Sequence, residues 1–195
     1  VFALKAAAPS FEGACDAEYA MPGQILYATS QLSAPDLGER VPRGRQSAAA
    51  QRLLETLNAN IAPAIGSKSH SRAVVAAAVG DAEITALGID IEFMDEDRPL
   101  ADIARFLSKG APEKIGPEAF YRCWTFAEAF FKAYQHLPPE RAVLCVGKQK
   151  GADGEYELDD GTRLLHRRIA DRFQLCLVWR SSVVPCEPRC VSLLA

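Results

Sequence analysis

Asp90 and Glu92, two apart in the run Gly88-Ile89-Asp90-Ile91-Glu92, are the residues whose types and spacing first suggest chemistry. On an extended strand both carboxylates project from one face while Ile89 and Ile91 point to the other. Like charges held side by side need a cation or a bound proton, and hard carboxylate oxygens suit magnesium, which borrows further ligands from substrate phosphates. A third carboxylate and a cation follow in Trp124-Thr125-Phe126-Ala127-Glu128-Ala129-Phe130-Phe131-Lys132. There Trp124, Glu128 and Lys132 fall on one line of a helix, beside an apolar stripe of Phe120, Cys123, Ala127, Phe130, Phe131 and Tyr134.

Taken singly, each pattern has an ordinary meaning. A lone E-x-x-x-K is an exposed helix pair, and a lone D-x-E is a solvated strand face. A third segment changes the reading: Gly66-Ser67-Lys68-Ser69-His70-Ser71, expected as a polar, glycine-started turn, offers backbone N–H groups, hydroxyls and an imidazole to a phosphate. A further basic cluster stands upstream, at Arg40, Arg43, Arg45 and Arg52.

In this order, S-x-S-H-S, G-I-D-I-E and W-T-x-x-E-x-x-x-K, the chain resembles the 4′-phosphopantetheinyl transferases, of the larger monomeric type that activates peptide, polyketide and siderophore synthases. The resemblance runs from about residue 40 to about residue 138 and is strongest between Gly66 and Lys132. It implies an enzyme that moves 4′-phosphopantetheine from coenzyme A to a serine of an apo acyl or peptidyl carrier protein. It further implies Mg2+ held by Asp90, Glu92 and Glu128, with Lys132 on phosphate. Ser69 and His70 match the serine-histidine pair that in the family binds the pyrophosphate and 3′-phosphate of coenzyme A. Arg43-Gly44-Arg45 resembles the G-R segment whose basic residues, here Arg43 and Arg45, hold the adenosine 3′-phosphate. One departure is plain: many relatives carry lysine directly before the helix glutamate, where this chain has Ala127.

The residues also support that chemistry in their own right. Attack of a hydroxyl on a phosphoanhydride builds charge on nonbridging and leaving oxygens, which a metal, a lysine and a histidine stabilise. Glu128 is the best candidate to accept the hydroxyl proton, so Glu128 and Lys132 are the expected catalytic pair. Two other readings use the same residues: a different metal-dependent phosphohydrolase, and a non-catalytic descendant that binds coenzyme A or a carrier protein.

The 195 residues, 49% hydrophobic, suffice for a packed core. A net charge of −3 and a pI near 5.7 argue against bulk nucleic-acid binding. Six cysteines, mostly scattered in apolar stretches, read as reduced thiols, and with three histidines they lack zinc spacing. No apolar run reaches transmembrane length and no signal peptide is evident, so a cytoplasmic protein is expected, with a trimmed or processed start at Val1.

The elements that must position these groups read as α+β. Residues 1–24 lack periodicity and read as an irregular lead-in; 25–28 is a short strand, and Ala50, Leu53, Leu54, Leu57 and Ile61 make 46–60 an amphipathic helix. Strands are expected at 73–79 and 85–93, a short helix behind Pro99 with Gly110 at its exit, then the Trp124 helix. Strand-like runs at 142–147, 155–158, 163–166 and 173–179 follow, divided by turns at Asp153-Gly154 and Asp160-Gly161. Helix-then-strands occurs twice, and the resemblance implies two similar α+β lobes with the active site between them. The expected boundary is residue 97, giving lobes 1–97 and 98–195 with the linker at 95–99. Two such lobes would let a monomer complete the site.

Overall fold

The structure, a computed structural model, describes residues 5–6, 23–95, 97–107, 115–149, 151, 153–183, 186 and 188–191. Most of the expected lead-in, together with Glu96, Gly110 and Cys15, lies outside the described residues. The elements in chain order are β1 (Lys5–Ala6), β2 (Ile25–Gln31), α1 (Arg43–Asn58), β3 (Ile65–Ser71), β4 (Val74–Gly80), β5 (Ile84–Phe93), α2 (Leu100–Leu107), α3 (Pro117–Tyr134), α4 (Glu140–Gly147), β6 (Gly154–Glu157), β7 (Arg163–Ile169), β8 (Phe173–Ser181) and β9 (Pro188–Cys190). Helices and sheets are both present, as expected of an α+β chain.

The strands form two sheets, ordered β3-β4-β2-β9 and β1-β6-β7-β8-β5. Their apolar faces meet. Ile25, Tyr27, Val74, Ala76 and Ala78 of the first pack with Leu87, Ile89, Ile91, Leu165, Leu175, Leu177 and Trp179 of the second. The outer face of the first sheet is covered by α1 through Ala50, Leu53 and Leu57. The outer face of the second is covered by α3 and α4 through Phe126, Phe130, Val143 and Val146. The strand β4, Val74-Val75-Ala76-Ala77-Ala78-Val79-Gly80, is buried along its whole length because it has a sheet on one face and a helix on the other.

Three local expectations are corrected. The 66–71 segment is no turn but the strand β3, paired antiparallel with β4 from Ile65↔Gly80 to Ser71↔Val74. Its alternation was hidden because its buried face is made of Ser67, Ser69 and Ser71 rather than of apolar residues. The run 142–147 is helical, not a strand: Ala142, Val143 and Val146 recur at helical spacing and pack against α3, which overrides the β preference of valine. Gly154 opens β6 instead of completing a turn with Asp153. The boundary at residue 97 does not follow the sheets either, since β5 precedes it yet pairs with β8 throughout Leu87↔Trp179 to Phe93↔Phe173.

Candidate functional site

The site forms where the two sheets meet edge to edge. β3 ends one sheet and β5 ends the other, and the two strands lie side by side without sharing a ladder. Serines of β3 close the gap. Ser67 Oγ accepts the Ile89 N–H at 3.0 Å and Ser71 Oγ accepts the Phe93 N–H at 2.9 Å, so two edge donors of β5 are satisfied by side chains. Ser69 Oγ donates to Asp90 Oδ1 at 2.7 Å, and Ser71 Oγ donates to Glu92 Oε2 at 3.1 Å.

Asp90 and Glu92 do share one face of β5, with Ile89 and Ile91 buried in the core on the other. Their face looks at α3. Gly88 permits the approach: a Cβ there would stand 1.9 Å from the carbonyl oxygen of Ala129 and 2.9 Å from the nitrogen of Ala133. One turn from that contact, Lys132 Nζ donates to Asp90 Oδ1 at 2.8 Å and to the Ile89 carbonyl at 3.0 Å. On the other side of the pair, Arg98 Nη2 lies 3.5 Å from Glu92 Oε2. Each carboxylate therefore has one serine donor and one cation.

Burial dominates the titration of this group. It pushes Asp90 up, against the pull of the Lys132 ammonium. Burial and then the charge of Asp90 push Glu92 up to about 7, and the same two causes raise Glu128. Three carboxyls on two elements thus compete for the same charge balance. His70 is shifted the opposite way, held below its ordinary value first by burial and then by the positive charges of Lys132 and Arg43.

Beside Glu92 opens a cavity of about 680 Å³ lined by Arg40, Gln46, His70, Arg72, Asp95 and Arg98 among others. His70 reaches it from the α1-facing side of β3, where its Nε2 is 3.3 Å from Ser47 Oγ. Arg43, the first residue of α1, is close enough to oppose protonation of His70, but it and Arg45 are exposed and neither lines the cavity. Arg72 and Arg98 were not singled out from the sequence as site residues. Arg98 sat in the expected linker, and only the chain reversal after β5 brings it back to Glu92; Arg72 directly follows the S-H-S run, which was the available signal. Ala127 is 2% exposed, so its position faces the interior instead of the cavity.

Among the described residues no three His, Cys, Asp or Glu side chains stand grouped as a ready-made metal cage. The donors nevertheless fit a hard divalent cation. Asp90 Oδ2 is buried with no hydrogen-bond partner among the described residues, and an ionised oxygen in that state is costly unless a cation or proton reaches it. The oxygen-only set Asp90, Glu92 and Glu128 is the kind that magnesium accepts. Cys123, Cys145, Cys176, Cys186 and Cys190 are free thiols, and among the described residues no helix is long and apolar enough to cross a membrane. Compared with protein-family models and with curated protein sequences, the chain matches none.

Proposed function

We propose that this protein transfers the 4′-phosphopantetheine group of coenzyme A to a serine hydroxyl of an apo carrier protein, with Mg2+, and releases adenosine 3′,5′-bisphosphate. One observation carries the reading: Asp90, Glu92 and Lys132 converge with Ser69 at a seam that opens directly onto a cavity lined by Arg40, His70, Arg72 and Arg98. A metal-suited carboxylate set beside a basic cavity suits a pyrophosphate flanked by a nucleotide. The two sheets, each with its own helix cover, are read as two related lobes with the donor between them, so that one chain completes the site. A coenzyme A donor places the reaction in the cytoplasm.

In this reading the adenosine end occupies the cavity and the pyrophosphate lies toward Asp90. Magnesium, when held by Asp90, Glu92 and Glu128, neutralises pyrophosphate charge and polarises the phosphorus that is attacked. The serine oxygen of the carrier forms the new P–O bond as the phosphoanhydride bond breaks. Glu128, whose raised pKa makes it a stronger base than an ordinary carboxylate, takes the serine proton directly or through a water. Lys132 moves from Asp90 to the phosphate oxygens and offsets the charge that grows on the leaving bisphosphate.

A second reading has its own observation. Asp90 and Glu92 are already paired with Lys132 and Arg98, a balance that a non-catalytic coenzyme A or carrier-binding protein would also need. Incubation with coenzyme A, Mg2+ and an apo carrier protein separates the readings by mass spectrometry. A carrier heavier by one phosphopantetheine supports transfer. Binding without any mass gain supports the second reading, and release of a small phosphate product alone supports a phosphohydrolase.

A further inference from the structure

Arg72 occupies the link between β3 and β4 with φ of 54°, a left-handed backbone in which an L side chain is strained and glycine is not. Contacts on both sides hold it there. The Arg72 carbonyl accepts from Gln46 Nε2 at 2.5 Å, Ala73 N–H donates to the Leu37 carbonyl at 3.2 Å, and Leu32 N–H donates to the Ala73 carbonyl at 2.7 Å. The side chain is only 16% exposed; its guanidinium lies over the Phe93 ring, 5.1 Å from the centroid, and Nη2 meets Asp95 Oδ2 at 2.8 Å. It lines the cavity together with Arg40, His70 and Arg98. Strain kept at a position where glycine would serve the turn points to a use for the side chain itself.

We propose that Arg72 is the residue that reads the 3′-phosphate of coenzyme A. The proposal rests on the reading that the nucleotide occupies this cavity. Asp95 fixes one edge of the planar guanidinium and Phe93 supports one face, which orients the remaining N–H donors as a fork of the kind that matches phosphate. Arg72 is three residues beyond Ser69 along β3, which at about 3.3 Å per residue places it roughly 10 Å from the Asp90–Lys132 end. That separation suits a second phosphate across a ribose, not the pyrophosphate itself. Arg72, inside the cavity wall, takes the role that the sequence pattern suggested for Arg45.

Isothermal titration of the full chain with adenosine 3′,5′-bisphosphate and with adenosine 5′-monophosphate tests this. Wild type binds the bisphosphate at least about tenfold more tightly, and both Arg72→Gly and Arg72→Gln reduce that preference to less than about twofold, the scale of one charge-assisted hydrogen bond. Arg72→Gly relieves the turn and Arg72→Gln keeps the side-chain volume, so a loss shared by both variants, with thermal unfolding still cooperative, reports the charge. A preference that survives in either folded variant overturns the proposal, as does a wild type without preference. Absence of carrier modification by a wild type that keeps its nucleotide preference would remove the transferase reading and leave Arg72 in place.

Discussion

Ser69 Oγ and Asp90 Oδ1, 2.7 Å apart, join two sheets whose neighbouring edge strands share no ladder. The same bond orients the carboxylate that Lys132 grips from α3. Ser69→Ala should therefore destabilise the fold by about 1–3 kcal/mol, the range for leaving a buried partner unsatisfied. Urea unfolding measures it. In a double-mutant cycle with Asp90→Asn the two effects should be non-additive; simple additivity would mean that the hydroxyl does not hold Asp90.

Gly88 sets the distance between β5 and α3, because an added Cβ meets the Ala129 carbonyl at 1.9 Å and neither backbone can yield alone. Gly88→Ala is expected to cost about 1–3 kcal/mol or more by overpacking. It should also lower turnover in whatever protein remains folded, since α3 carries Glu128 and Lys132. Chemical denaturation with a parallel activity assay checks both, and unchanged stability would show that α3 shifts freely.

Metal-free stability should depend on Glu92. Its folded pKa, about 7, lies above the ordinary 4.5, so between those values the folded state holds more protons than the unfolded state. This contribution is fully present below pH 4.5 and is lost as pH rises through 7. Glu92→Gln should be more stable than wild type at pH 8 in chelator, with the gap closing toward pH 5. Thermal melts across pH 5–8 give the test; a gap of constant size would remove the titration of Glu92 as its cause.

Asp90→Asn and Glu128→Gln preserve side-chain size while removing charge from the carboxylate set. Each is expected to lower carrier modification by at least about a hundredfold, roughly 2.7 kcal/mol of transition-state stabilisation. Magnesium and coenzyme A together should raise the wild-type melting temperature by more than their separate shifts combined, and the excess should vanish in both variants. Near-normal turnover in the two variants, or purely additive shifts in wild type, would count against a shared metal and pyrophosphate site.

The carboxylate spacing, the helix line and their order along the chain were legible in the residues themselves. Asp90 and Glu92 share a face because a strand alternates, and Glu128 and Lys132 share a line because a helix repeats every 3.6 residues. Periodicity likewise located α1, α3, β4, β5 and β8, whose buried faces are apolar. It failed at β3, where the buried face is serine, and at α4, where valines that favour strands are held helical by packing on α3. Which edges of which sheets meet is a non-local fact: β5 could have paired with β4, its neighbour in sequence, but lies instead on β8, leaving its free edge to the serines of β3. That choice alone brings Ser69 to Asp90, Lys132 to the same oxygen and Arg72 and Arg98 to the cavity. It is decided by burial of both sheet faces at once, an energy summed over the whole core that no local run of residues records.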